Sequence, residues 1–136
     1  MGMKRKRTRG MAMVEMIFVL PLLILIVFAI AEFGLMFSRW LTLSNAVREG
    51  ARVGVPFRGA ANCNKTTVEG EVQSTAGKYA RAGGVPLADK DFTVKNACAG
   101  TGTSLEVSAT YNFKLKIPYA NLGAIPIGYK STMRNE

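Results

Sequence analysis

Apolar residues divide the chain into an N-terminal part that is almost continuously hydrophobic and a C-terminal part in which apolar and polar positions alternate. Sixteen consecutive uncharged residues, MIFVLPLLILIVFAIA, lie between Glu15 and Glu32, and apolar character resumes in FGLMF. As a helix, residues 11–37 would cover about 40 Å at roughly 1.5 Å per residue, enough to cross a bilayer core. The pattern therefore predicts one membrane-spanning helix.

Beyond this segment, small and apolar residues recur at steps of three or four, which predicts that the helix continues to Val53. This face comprises Leu43, Ala46, Val47, Gly50 and Gly54. Small residues at successive turns allow a close approach of two backbones. The face would pack either onto the protein's own domain, which we favour, or along a seam between subunits.

The rest of the chain predicts a helix packed on a sheet. Residues 65–82 form a weaker amphipathic pattern, with Val68, Val72, Ala76, Tyr79 and Ala80 on one side. Apolar and polar residues alternate over 91–97 and 103–117, as they do in half-buried strands. In the segment 103–117, alternate residues from Leu105 to Ile117 would be buried, and Pro118 would end the strand. A last strand is expected over 127–134. The simplest closure is an α+β domain with one helix on an antiparallel sheet of about three strands.

Two residues of the apolar helix are unusual for a membrane segment. Pro21 removes one backbone hydrogen bond and crowds the preceding turn, so we expect a kink or a local loss of helix at residues 17–21. Glu32 lies one heptad before Arg39 and therefore on the same face. This spacing allows either an acid that snorkels to the interface or a charge pair with Arg39, within the membrane or between subunits.

Charge is concentrated at the N-terminus. The net charge is +9, and five cations, Lys4, Arg5, Lys6, Arg7 and Arg9, precede the apolar segment. Together with Arg39 and Trp40 at the other end, they predict a cytoplasmic N-terminus and a periplasmic C-terminus. The remaining basic residues form no stripe or recognisable motif, which argues against binding to nucleic acid.

The two cysteines, Cys63 and Cys98, both fall on the predicted periplasmic side, where a disulfide is the expected state. Closing this loop would stabilise the domain by about 4 kcal/mol in the chain-entropy model. Two thiols in a chain without histidine make a poor zinc site, so we expect no metal.

Nothing in the sequence indicates an enzyme. Histidine is absent, which removes the most common general base. The pairs Glu69 with Glu71 and Asp89 with Asp91 are interpreted as solvated charge. Gly100 and Gly102 fit no nucleotide-binding pattern and are expected to form a turn. We therefore expect neither catalysis nor a cofactor.

Three interpretations of the N-terminus remain. A cleaved secretory signal is disfavoured because its apolar core is usually 7 to 15 residues. An uncleaved signal anchor fits the length and charge but leaves Gly10 and Glu15 unexplained. The third interpretation is a resemblance: KRKRTRG followed by MAMVE resembles a type IV prepilin signal. The resemblance implies cleavage between Gly10 and Met11 by a prepilin peptidase, and it makes Glu15 the assembly glutamate.

The sequence further along resembles one pilin family. EFGLMFSRWLTLSNAVREGARVGV after the apolar segment, and STMRNE near the end, are similar to TadE-type pseudopilins of the tight-adherence (Tad) pilus. The resemblance implies a role in assembling a Tad-type IV pilus for surface adhesion and biofilm formation. Its implied partners are the prepilin peptidase, other pilins and pseudopilins, the inner-membrane assembly platform and the lipid bilayer.

This interpretation divides the chain into four parts. Residues 1–10 would be the leader peptide, 11–37 the transmembrane helix and 38–55 its periplasmic extension. Residues 56–136 would form a small disulfide-bonded α+β domain in the periplasm. The competing hypothesis is an unprocessed bitopic inner-membrane protein whose periplasmic domain binds a ligand or partner.

Overall fold

The fold consists of two helices and one sheet. The computed structural model describes residues 8–56, 63–115 and 123–134. Helix α1 spans Thr8–Gly54 and α2 spans Lys65–Ala82; a 3-10 turn at Asp89–Asp91 leads into strands β1 (Phe92–Lys95), β2 (Ser104–Lys114) and β3 (Ala124–Arg134). The strands form an antiparallel sheet in the order β1-β2-β3. This architecture confirms the predicted α+β class.

Helix α1 is a single uninterrupted element that serves both as the apolar segment and as part of the domain. It contains Pro21 in its interior and ends at Gly54, one residue beyond the predicted end. The local loss of helix predicted for residues 17–21 is therefore wrong. The reason is that proline removes only one N–H donor, and the flanking apolar residues keep helical geometry on both sides. A bend at Pro21 remains a prediction.

Helix α2 has the predicted bounds. The Asn64 side chain accepts a hydrogen bond from the Thr66 amide at 3.1 Å, which supplies an N-cap. The buried positions follow the predicted face and include Gly77. Tyr79, which the pattern assigned to this face, is instead 45% exposed. The buried face of α2 therefore includes fewer positions around the helix than the sequence spacing suggested.

The sheet follows the predicted alternation, with shifted ends. Strand β2 buries Leu105, Val107, Ala109 and Phe113, while Tyr111 and Leu115 are half-buried. Ile117 and Pro118 lie outside the described residues. Strand β1 is shorter than 91–97, since the 3-10 turn holds Asp91 and both Asn96 and Cys98 have positive φ. Strand β3 begins three residues earlier than predicted and includes Pro126, which an edge strand tolerates.

The core forms where the end of α1 packs against α2 and the sheet. A Cβ atom built on Gly50 would lie 2.9 Å from Ala76 Cβ, and one on Gly54 would lie 2.6 Å from Leu105 Cδ2. At Gly50, where the Val72 carbonyl oxygen also lies 3.1 Å away, only glycine permits this approach. Leu43, Ala46 and Val47 are fully buried in the same core. The small-residue face thus packs onto the protein's own domain, as favoured from the sequence.

A disulfide joins the segment before α2 to the connection between β1 and β2. Cys63 and Cys98 are bonded, with their Cα atoms 5.8 Å apart and a sequence separation of 35. Gly100 and Gly102, both with positive φ, form the predicted turn that follows. The cross-link therefore connects the helical layer to the sheet at the end of the domain where α2 begins.

Candidate functional site: the membrane helix and its junction with the domain

The first half of α1 projects from the domain as an exposed apolar rod. Every side chain from residue 10 to residue 31 is exposed, including Met11 at 77% and Phe18 at 76%. Helix α1 is long and apolar enough to cross a membrane. A contiguous apolar surface of this size marks a site of contact with lipid or with other proteins. The structure thus agrees with a membrane anchor near the N-terminus.

Gly10, Met11 and Glu15 lie together in the first turns of this rod. A Cβ atom built on Gly10 would meet nothing within 4 Å, and Met11 is largely exposed. Met11 and Glu15 are four residues apart and therefore share a helix face. Glycine lowers helix stability by about 1 kcal/mol relative to alanine, so the turn containing Gly10 unwinds more easily than its neighbours. The domain thus leaves the proposed scissile bond uncovered.

The two acids of the apolar segment lie near its two ends. Glu15 and Glu32 are separated by about 26 Å along the axis at 1.5 Å per residue. The hydrocarbon core of a bilayer is about 30 Å thick. Both carboxylates can therefore lie near opposite edges of the hydrocarbon core, where their insertion costs less than at its centre.

Arg39 marks the junction between the rod and the domain. Its Nη1 donates a hydrogen bond to the Tyr111 hydroxyl at 3.0 Å, and its guanidinium lies 5.1 Å from the centre of the Phe113 ring. Among the described residues neither Glu32 nor Arg39 forms an ion pair, so the structure does not bring these two together. A charge pair between subunits remains a prediction. Within the chain, the sheet supplies the partners of Arg39.

An aromatic cluster continues along α1 from this junction. The rings of Phe37 and Trp40 stack at 5.8 Å, and Trp40 meets Tyr129 edge-on at 6.3 Å. Arg48 donates from Nε to the Tyr129 hydroxyl at 2.9 Å and lies over the same ring. Tryptophan and tyrosine are enriched at the membrane–water interface, and arginine near a helix end can extend its side chain to the same level. Sequence reasoning placed Trp40 at this boundary but missed both tyrosines, which are distant in sequence.

The acids Asp89 and Asp91 have structural partners. Arg81 Nη1 bonds the Asp89 carboxylate at 2.8 Å and the Leu87 carbonyl at 3.1 Å. Asp91 Oδ2 accepts a hydrogen bond from the Ala88 amide at 2.9 Å. These bonds fix the segment between α2 and β1. Asp89 and Asp91 thus stabilise a turn, a role that the sequence interpretation as solvated charge did not include.

Comparison with known proteins gives a match to a protein family. Residues 10–52 match the family model described as TadE-like protein. The matched segment contains the apolar rod, Gly10, Glu15 and the part of α1 that enters the core, and over these residues it confirms the resemblance to the TadE family seen in the sequence. No curated protein and no solved structure matches the chain.

Proposed function

Since residues 10–52 match the family model described as TadE-like protein, we propose that the chain is a pseudopilin of the Tad pilus, cut between Gly10 and Met11 by a prepilin peptidase. It is a structural protein rather than an enzyme. It resides in the bacterial inner membrane with its N-terminus in the cytoplasm and its domain in the periplasm. There it joins other pilins and the assembly platform in building a Tad-type IV pilus for surface adhesion and biofilm formation.

One observation carries this proposal. The family match falls on a helix whose side chains are all exposed from residue 10 to residue 31. An isolated anchor needs only lipid around it, but this rod also presents an accessible Gly10–Met11 bond and an acid one turn beyond it. A peptidase could reach the bond without disturbing the domain, whose core begins at Leu43.

Cleavage would change the surroundings of Glu15. In the uncut chain α1 begins at Thr8, so Glu15 lies about two turns inside the helix. In the cut chain Glu15 becomes the fifth residue, close to a new charged amine and to the positive end of the helix dipole. The dipole contributes typically 0.3–1 kcal/mol to such a carboxylate. The pairing of Glu15 with the amine of Met11, on its own or a neighbouring subunit, would therefore arise only after processing.

Pro21 also favours packing among helices. Proline lacks the N–H that would bond the carbonyl of Ile17, four residues earlier. In the bilayer such a carbonyl is satisfied by neighbouring helices or by local adjustment of the backbone. A bundle of pilin helices provides such neighbours, whereas lipid tails provide no donor.

N-terminal sequencing after co-expression with a prepilin peptidase tests the proposal. We expect a mature N-terminus at Met11 with the active peptidase and an intact chain with its inactive variant. A bulky substitution, Gly10→Val, should block cleavage. The matched control is Gly34→Val, the same substitution at an equally open glycine of the same helix, which should be cut normally. A chain that stays intact with the active peptidase would instead support an unprocessed bitopic membrane protein with a periplasmic binding domain.

A further inference from the structure

One end of the domain faces the apolar rod, and the end of α2 lies there. A Cβ atom on Gly83 would collide with the Thr42 side chain, whereas one on Gly50 would contact Ala76. Helix α2 therefore runs antiparallel to α1, and its last turn lies beside the residues where α1 leaves the membrane segment. The connection that follows α2 is consequently at the membrane-facing end.

Strand β2 ends at the same level. Leu105, near its start, packs against Gly54 at the far end of α1, whereas Phe113, near its end, lies beneath Arg39. The start of β3 pairs with the end of β2, with Ile125 opposite Phe113. The membrane-facing end thus combines α1, the end of α2 and the β2–β3 pair.

An open cavity of about 620 Å³ lies at this end. Its lining comprises Arg39, Arg81, Gly84, Pro86, Leu87 and Ala88. We refer to it as the arginine pocket. Two of these residues are cations and none is acidic. Asp89 and Asp91 flank the pocket: Asp89 bonds Arg81, and Asp91 bonds the Ala88 amide.

Arg39 is the uncompensated cation of the pocket. Within the described part of the chain its partners are a neutral hydroxyl and two aromatic rings, and it has no carboxylate. A guanidinium has five N–H donors, and the Tyr111 hydroxyl accepts from one of its nitrogens. Arg81, in contrast, has the Asp89 carboxylate at 2.8 Å. An anion entering the pocket would therefore be attracted first to Arg39.

The position of Arg39 along the helix indicates the level of a bilayer at which its guanidinium would lie. Arg39 lies about 44 Å along the helix axis from Gly10 at 1.5 Å per residue, and a bilayer with its headgroups measures about 40–45 Å. With Gly10 at one surface, Arg39 reaches the phosphate level of the other. Trp40 and its aromatic neighbours are suited to the same level. We propose that the arginine pocket binds the phosphate of an anionic phospholipid in the leaflet next to the domain, through the guanidinium of Arg39.

This inference rests on the membrane insertion of α1 that the proposed function includes, but on neither cleavage nor assembly. The test uses the full, uncut chain in nanodiscs of phosphatidylcholine with increasing fractions of phosphatidylglycerol. The chain has one tryptophan, Trp40, adjacent to Arg39. Its fluorescence is the readout of the titration and gives the half-saturating fraction of phosphatidylglycerol.

We expect Arg39→Gln to raise that fraction about fivefold, the factor expected for one basic residue at an anionic surface. The control is Arg52→Gln, which removes an exposed cation of the same helix at the far end of the domain and should leave the titration unchanged. Tyr111→Phe removes the hydrogen bond between Arg39 and Tyr111 but leaves the positive charge of Arg39 in place. It therefore distinguishes a role of Arg39 in lipid binding from a role in holding α1 against the sheet. It should titrate at least as tightly as the original chain.

A variant expected to bind more tightly provides a test whose positive result loss of structure cannot explain. Asp89→Asn removes the carboxylate beside Arg81 while nearly preserving side-chain shape, and it should lower the half-saturating fraction about fivefold. Damage to the fold would not tighten binding. The proposal is overturned if Arg39→Gln and Arg52→Gln titrate alike, or if phosphatidylglycerol leaves the fluorescence of the original chain unchanged. Neither result bears on cleavage at Gly10, whereas extraction of the chain from membranes by carbonate would refute the membrane span itself.

Discussion

Replacing Gly50 by alanine tests whether the close packing of α1 against α2 requires a residue without a side chain at this position. The added Cβ would lie 2.9 Å from Ala76 Cβ and 3.1 Å from the Val72 carbonyl oxygen. Neither atom can rotate away, so the helices must separate by several tenths of an ångström. Overpacking of this kind costs about 1–3 kcal/mol. The higher helix propensity of alanine returns up to about 1 kcal/mol.

Gly70→Ala supplies the matched control, because Gly70 lies in helix α2 with nothing within 4 Å of the added atom. Both variants gain the same helix propensity, so the difference between their free energies of unfolding gives the cost of overpacking at Gly50. We expect Gly70→Ala to be more stable than Gly50→Ala by about 1–3 kcal/mol. At a urea dependence of about 1 kcal/mol per molar, typical of small domains, the two midpoints differ by about 1 M or more.

Urea unfolding of the full chain in nanodiscs provides the measurement. Trp40 lies against Tyr129 of strand β3, so its fluorescence reports loss of contact between α1 and the sheet. If Gly50→Ala proved as stable as Gly70→Ala, the close approach would be dispensable and the packing argument would be refuted.

Three further predictions concern other contacts. Replacing Cys63 and Cys98 together by serine should lower the free energy of unfolding by about 4 kcal/mol, and an unchanged urea midpoint would contradict the role of the cross-link. A double-mutant cycle of Arg48→Gln with Tyr129→Phe should give a coupling of about 0.5–1 kcal/mol at this exposed site, measured by the same unfolding, and a coupling near zero would count against the contact. Glu15→Gln should still be cut yet be recovered in sheared pili about fivefold less, the factor for about 1 kcal/mol; normal recovery would return Glu15 to a lipid-interface role.

Local patterns predicted the elements well because burial there follows a simple period. Helix α2 has the expected bounds since Val68, Val72, Ala76 and Ala80 repeat every four residues, and each is buried. The start of β3 was missed because Pro126 argues against a strand in sequence. Only the sheet order shows that β3 is an edge strand, in which proline is tolerated.

Tertiary partners could not be predicted in the same way. The heptad spacing of Glu32 and Arg39 indicates only that the two residues lie on the same face of the helix. The hydrogen-bond partner of Arg39 is Tyr111, 72 positions away, and no local pattern reports such a distance. The arginine pocket likewise depends on the antiparallel arrangement of α1 and α2, which brings Arg39 and Arg81 to one end of the domain.

Because α1 is unbroken, it also fixes the rotation of the domain relative to the membrane anchor about the helix axis. Residues 43–51 of this helix lie in the domain core, and residues 10–31 of the same helix form the exposed rod. The helix is continuous from residue 31 to residue 43, so turning the end of the rod about the helix axis turns the domain by the same angle. One residue inserted between Phe37 and Thr42 would rotate the domain by about 100° relative to the anchor, and seven would nearly restore it. The direction in which the domain points is thus set by the number of residues in the helix.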